Sequence, residues 1–123
     1  MATITNVGPL SVTQNPGNKW MLSVSYEANF SEQEVKQQFQ YRDSFVVWED
    51  DNLNDDKITG HLSVGTFKPS ATKVKRTLRA EVTGDKLNTE PGAEEIYVVI
   101  HLENLDLNVK FPTKNSAAIS ISP

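Results

Sequence analysis

The chain has 123 residues, of which 16 are acidic, 12 are basic and none is cysteine. This length fits a single domain, residues 1–123, that can bury a core without cross-links. The lack of cysteine excludes disulfides, thiol catalysis and thiolate metal sites, and the net charge of −4 lacks the positive footprint of a nucleic-acid-binding protein.

The segment Met1–Thr5 has neither a basic start nor an apolar stretch, so no signal peptide is visible. No apolar run approaches the roughly 18 residues that a membrane-spanning helix needs. We therefore expect a soluble protein that is cytoplasmic by default, with export by another route left open. Residues 4–12 are the first strand candidate along the chain, and the weakest one.

The clearest strand is Trp20–Phe30, in which every even-numbered residue is apolar and most odd-numbered residues are polar. This period of two is typical of a half-buried strand. Ser31 follows with Glu34 three residues later, which is the spacing of a helix capping box. The sequence therefore predicts one or two helical turns near residues 32–38.

Apolar alternation or a wealth of β-branched and aromatic residues marks the remaining strand candidates. They cover residues 39–48, 58–64, 74–82, 96–100, 105–111 and 117–121. The segment 96–100 is apolar on both faces, which predicts a central strand. Seven or eight strands with frequent turns and hardly any helix predict an all-β, antiparallel β-sandwich, immunoglobulin-like or related, with a barrel as the less favoured alternative.

The main chemical signal is the acidic loop, residues 49–56, which follows the strand that ends at Trp48. Without its five acidic residues the chain has 11 acidic and 12 basic residues, so the loop carries the whole negative balance. Crowded carboxylates repel each other, and calcium would offset that repulsion because it binds about 6–8 oxygen ligands in flexible geometry. The predicted ligands are Asp50, Asp51, Asp55 and Asp56, supported by Glu49 and Asn54. The alternative is a turn-forming loop that is merely solvated.

The loop does not fit an EF-hand, because Asp55 and His61 stand where glycine and glutamate are required. The segment FVVWEDDNLNDDKITGHLSV, residues 45–64, instead resembles one calcium loop of the synaptotagmin-type calcium- and phospholipid-binding sandwich. The matching residues are Trp48, Glu49, Asp51 and Gly60. The match departs at Lys57, where an acidic ligand would stand. The resemblance implies calcium at the rim of a sandwich, and phospholipid binding is not carried over.

A second charged feature is the basic cluster at residues 73–79, with four positive charges in seven residues. Its members are Lys73, Lys75, Arg76 and Arg79. They would suit an acidic partner, but the favoured interpretation is the polar face of an edge strand that is guarded by charge.

The two histidines and two tryptophans also have alternative interpretations. His61 and His101 with carboxylates would suit a transition metal, but nothing in the sequence places them together. Trp20 and Trp48 would stack a sugar or pack in the core, and the core is favoured because both continue apolar patterns.

The function expected from these observations is a non-enzymatic binding or interaction module, with calcium as its cofactor. We expect no enzyme, because the chain lacks a nucleophile elbow and a glycine-rich phosphate loop. The partner would be an unidentified protein or a second copy of the chain, and not nucleic acid. The alternative is a structural or assembly subunit that forms homo-oligomers.

Overall fold

The computed structural model describes residues 1–51, 54–88 and 92–123, which contain eleven strands and two short helices. The strands are β1 (Thr3–Thr5), β2 (Ser11–Asn15), β3 (Lys19–Asn29), β4 (Tyr41–Glu49), β5 (Asp56–Lys57), β6 (Leu62–Phe67), β7 (Lys73–Thr83), β8 (Glu94–Asn104), β9 (Val109–Lys110), β10 (Lys114–Asn115) and β11 (Ile119–Ile121). The helices are α1 (Glu32–Gln37) and α2 (Gly84–Leu87).

The first sheet, sheet A, is built around β3. β7 pairs with β3 along its full length, from Lys19 opposite Thr83 to Asn29 opposite Lys73. The other edge of β3 is shared by β2 and β1, and all these pairings are antiparallel. Sheet A is therefore three strand positions wide, with β7 as one of its edges.

The second sheet, sheet B, is built around the long central pair of β4 and β8. The short strands β5 and β6 share the free edge of β4, and β9, β10 and β11 share the free edge of β8. The expected central position of residues 96–100 is confirmed, because β8 has antiparallel neighbours on both sides.

The two sheets form an all-β, antiparallel sandwich of seven strand positions, as the sequence predicts. Three positions lie in sheet A and four in sheet B, and the chain crosses between the sheets after β3, β6 and β7. In the constant-type immunoglobulin fold, the sheet that contains the first strands instead has four strands and the other sheet has three. The difference arises because β5 and β6 pair with β4 and not with β7.

The core lies between the sheets and is formed by alternate residues of the long strands. On β3 the even-numbered residues Trp20 to Ala28 are buried, and Phe30 continues this set beyond the strand. Phe30 packs edge-on against Tyr41 of β4, with ring centroids 4.8 Å apart. The period of two in the sequence thus directs one face of β3 onto sheet B.

The predicted helical turn is confirmed as α1, which connects the two sheets. The Ser31 side chain accepts a hydrogen bond from the Glu34 backbone amide, and the Glu34 carboxylate accepts one from the Ser31 amide. This reciprocal pair is the capping box that the spacing predicts. Within the described ranges, neither helix is long and apolar enough to cross a bilayer.

The strand predicted over residues 105–111 is wrong for most of its length. Residues 105–108 form a turn, and only Val109 and Lys110 pair with β8. The turn is fixed by side chains, because Asp106 accepts a hydrogen bond from the Gln40 amide at 2.7 Å and Asn104 accepts one from the Leu107 amide at 2.9 Å. Such local bonds compete with a sheet ladder, and apolar alternation does not reveal them.

Two other predicted strands are shifted or divided. The candidate at residues 4–12 is split into β1 and β2, because the Gly8 amide between them donates to the Ser25 carbonyl. The candidate at residues 58–64 begins later, as β6. Ile58 and Thr59 both donate their amides to the carbonyl of Val47, which holds them outside the regular ladder.

Candidate functional site

The acidic loop leaves sheet B at the end of β4, where the strand direction carries charged groups to the rim. Glu49, Asp51 and Asp56 each offer one carboxylate oxygen, and these three oxygens lie within 4.8 Å of one another. We refer to these residues as the acidic triad. Glu49 is buried, Asp51 is half-buried and Asp56 is exposed, so the triad extends from the edge of the core to solvent.

The pairing of the strands explains why these three residues meet. Glu49 lies directly opposite Asp56 of β5, and both are at the same end of the sheet. The Asp50 amide donates to the Glu95 carbonyl at 2.8 Å, so the pairing of β4 with β8 continues one residue beyond Glu49. Since side chains alternate between faces, Asp51 returns to the face of Glu49, while Asp50 points to the other face.

The structure separates the other predicted ligands from the triad. Asp55 accepts a hydrogen bond from the Tyr97 hydroxyl at 2.7 Å and another from the Asp51 amide at 3.2 Å, so its carboxylate holds the loop against β8. Asp50 and Asn54 are exposed and are not members of the triad. The two remaining residues of the loop, at positions 52 and 53, lie outside the described residues.

The charge of the loop affects Tyr97, an aromatic neighbour on β8. Burial, the hydrogen bond to Asp55 and the negative charges of Asp55 and Asp50 raise the pKa of Tyr97 to about 12. The phenol therefore stays protonated at neutral pH and can continue to donate to Asp55. Across the sheet, Glu94 is 2% exposed and lies at the register position opposite Asp51, which adds a further carboxylate to this end of the sandwich.

The two histidines, which the sequence could not place relative to one another, are in contact. Their imidazole rings meet edge to face, with centroids 4.6 Å apart. His101 is on β8 directly opposite Ser44 of β4, and the Ser44 hydroxyl is hydrogen-bonded to Nδ1 of His61 at 2.7 Å. The two histidines are 40 positions apart in the chain, so their contact cannot be predicted without knowing how β4, β6 and β8 are arranged.

The basic cluster is divided by the fold. Lys73, Lys75 and Arg79 are exposed on β7, an edge strand of sheet A, which agrees with the interpretation of a charged edge. Arg76 points the other way, towards sheet B. Its guanidinium donates two hydrogen bonds to Asp43 of β4, at 2.8 and 3.1 Å.

Asp43 is a buried charged residue that the sequence does not mark as a site residue. Its side chain is fully buried between the sheets, where it also accepts a hydrogen bond from the Tyr26 hydroxyl at 2.7 Å. The available signal was Arg76, which lies on the otherwise apolar face of its strand with Val74 and Leu78. A cation on a buried face usually implies a buried anion nearby.

The tryptophans differ in their surroundings. Trp20 is 8% exposed and belongs to the core, as expected. Trp48 is half-buried on the outer face of sheet B, opposite Tyr97. Its side chain therefore lies outside the core between the sheets, on the face of sheet B opposite to that of Glu49.

No protein-family model matches the chain, and no curated protein matches it significantly. The resemblance of residues 45–64 to a calcium loop therefore stays a prediction.

Proposed function

We propose that the protein is a non-enzymatic interaction module in which the acidic triad binds calcium at the rim of the sandwich. The observation that carries this proposal is the convergence of three carboxylate oxygens, from Glu49, Asp51 and Asp56, within 4.8 Å. Two of these residues come from paired strands, so their spacing is set by the sheet ladder. The bound ion would organise the adjoining loop as a contact surface for a protein partner.

The spacing of the triad is compatible with calcium. Calcium lies about 2.3–2.6 Å from its oxygen ligands, so two ligands on opposite sides of the ion are about 4.6–5.2 Å apart. The triad falls within that limit. Without a cation, two unit charges at this separation repel each other by about 1 kcal/mol even in water. Three protein carboxylates leave positions for loop carbonyls and water, which calcium accepts.

The alternative, a subunit of a homo-oligomeric assembly, is less well supported. Such assembly through the sheets would use an edge open to a second strand, and β7 is the longest edge. The exposed side chains of Lys73, Lys75 and Arg79 line that strand, and the Arg79 amide donates to the Ser63 hydroxyl at 3.0 Å. Charge and this bond both oppose pairing with another copy.

Calcium should raise the melting temperature of the protein, because an ion that binds only the folded state stabilises it by mass action. Calcium at a hundredfold excess over its Kd stabilises by about 2.7 kcal/mol. For a chain of this size that corresponds to a rise of roughly 10 °C. The measurement is a thermal melt followed by circular dichroism, in 10 mM calcium and in excess chelator.

Asp51→Asn should abolish the calcium-dependent rise, whereas Asp50→Asn should retain it. The two substitutions remove the same charge from neighbouring positions, but only Asp51 belongs to the triad. An equal response in the two variants would show that calcium acts through the general charge of the loop. No rise in the unmodified protein at 10 mM calcium would overturn the proposal.

A further inference from the structure

The outer face of sheet B carries a cleft of about 500 Å³ that is separate from the acidic triad. Its lining includes the two histidines, Ser44 and the cationic side chains of Arg42 and Lys110. Ser44 and Glu49 are five residues apart on β4 and face opposite sides of the sheet, so the cleft is about 17 Å from the triad along the strand. It is therefore independent of the proposed calcium function.

A β-bulge shapes one wall of the cleft. Asp43 pairs with Gly65 and Phe45 pairs with Leu62, so two residues of β6 stand opposite the single residue Ser44. Ser63, one of these two residues of β6, has a left-handed backbone with φ 53°. The bulge turns Val64 onto the cleft, where it is 56% exposed. Bulges commonly redirect side chains beside functional sites.

The lining of the cleft combines apolar and hydrogen-bonding groups. Val64 is the exposed apolar side chain of the lining, and Leu102 and Phe111 also line the cleft although both belong to the buried core. The hydrogen bond between the Ser44 hydroxyl and Nδ1 of His61 fixes that imidazole ring and leaves its Nε2 for a ligand. Small-molecule sites have this character, with mostly apolar walls and a few fixed polar groups.

The charges around the imidazole pair are mainly positive. Burial lowers the pKa of His101, and the neighbouring charges of His61, Lys57 and Lys110 lower it further, against an opposing effect of Glu103. Glu103 is itself bound by Arg42, whose Nε donates to it at 2.7 Å. These surroundings oppose a divalent metal cation, although two imidazoles in contact would otherwise suit one. They favour an anion.

We propose that this cleft binds a small organic anion whose carboxylate or phosphate group contacts His61, His101 and Lys110. The apolar part of the ligand contacts Val64 and Phe111. Binding is coupled to protonation of His101, because an imidazolium offers the anion a positive charge and one more N–H donor than the neutral ring. The affinity therefore rises as the pH falls through the range in which histidine titrates.

Benzoate and phenyl phosphate are suitable probes, with benzyl alcohol as the matched neutral compound. Isothermal titration calorimetry should show at least one anion binding about tenfold more tightly at pH 5.5 than at pH 7.5, and benzyl alcohol binding weakly at both. Binding of benzoate alone identifies a carboxylate site, and binding of phenyl phosphate alone identifies a phosphate site. Lys110→Ala should weaken binding, whereas Lys114→Ala, an exposed lysine on β10 outside the lining, should not.

His61→Asn and His101→Asn should each weaken anion binding at pH 5.5 by about tenfold. An independent readout in the unmodified protein is the NMR titration of the two histidine ring signals, in which the bound anion should raise the pKa of His101. The proposal is overturned if neither anion binds at 10 mM and pH 5.5. It is also overturned if the variant that combines His61→Asn with His101→Asn binds as tightly as the unmodified protein. Binding of Zn²⁺ at the histidines, with no anion binding, would also overturn it.

Discussion

Asp43 shows how much a single buried charge can depend on its neighbours. The carboxylate is fully buried but accepts hydrogen bonds from Tyr26 and twice from Arg76. Burial and the charge of Asp43 raise the pKa of Tyr26, so its hydroxyl stays a donor. The hydrogen bonds that Arg76 donates to Asp43 also raise the pKa of Arg76, which lies 4.2 Å above the Phe67 ring. Tyr26 and Arg76 thus both depend on Asp43 as their hydrogen-bond acceptor between the sheets.

Asp43→Asn should destabilise the protein by about 3 kcal/mol, since removing one member of a buried ion pair leaves the other uncompensated. Urea denaturation measures the change. The control is Glu81→Gln, which breaks the exposed Lys19–Glu81 contact of 3.9 Å and should cost less than about 1 kcal/mol. Equal losses in the two variants would mean that the buried pair contributes no more than a surface contact.

At the level of the elements, the capping box determines where the connection between the sheets begins. Ser31 and Glu34 each satisfy a backbone amide of the other, and the chain then turns through α1 into β4. Burial raises the pKa of Glu34, but hydrogen bonds from Ser31 and the terminal ammonium of Met1 outweigh this effect and lower it. The ionised carboxylate is thus held at the start of the helix, where negative charge is favourable.

Ser31→Ala should lower the free energy of unfolding by about 1 kcal/mol, because one helix amide loses its acceptor. Ser31→Asp should keep most of the stability, since aspartate is an equally good N-cap residue. Ser120→Ala, which truncates an exposed serine on β11, is the matched control and should have little effect. A loss for Ser31→Asp as large as for Ser31→Ala would contradict the capping argument.

The sequence could predict elements whose pattern is local, but not those set by distant contacts. The alternation in Trp20–Phe30 predicts a strand, and the spacing of Ser31 and Glu34 predicts a helix start, each from residues that are neighbours in the chain. Both predictions are confirmed. Residues 105–108 alternate in the same way but form a turn, because Asp106 is bonded to Gln40, a residue on another connection. Apolar spacing alone cannot report such a partner.

For the whole molecule, the stability should fall on mild acidification because His101 is harder to protonate in the folded state. Its pKa in the folded protein lies below the ordinary value, so at pH values between these two pKa values the unfolded chain binds more protons than the folded protein. The free energy of unfolding should therefore decrease as the pH falls below about 6.5, and this loss should level off below the folded pKa. Urea denaturation between pH 8 and pH 5 measures the decrease, at pH values above the titration of most carboxylates.

His101→Asn should remove most of that decrease, because asparagine does not titrate. Lys114→Ala changes a charge outside the cleft and should leave the pH dependence intact. A decrease of equal size in His101→Asn would assign the acid sensitivity to another group. The same experiment with 10 mM benzoate links this prediction to the cleft, since a bound anion should reduce the loss of stability at low pH.

For the candidate sites too, the sequence alone predicts only part of the arrangement. The acidic loop is visible because its charges are neighbours in the chain, and three of the six predicted ligands, Glu49, Asp51 and Asp56, form the triad. The histidine pair and the Asp43–Arg76 contact join residues from different strands. Their proximity depends on strand order and register, which a single sequence does not specify.

The broken outer strands have a consequence for the behaviour of the protein at high concentration. Among the described residues, three of the four sheet borders consist of pieces, with β1 and β2, β5 and β6, and β9 to β11 each sharing one border. The fourth, β7, is continuous but carries exposed lysine and arginine side chains. A fibril grows by adding long, flat, uncharged strands to such borders. We therefore expect concentrated solutions to stay clear and free of amyloid.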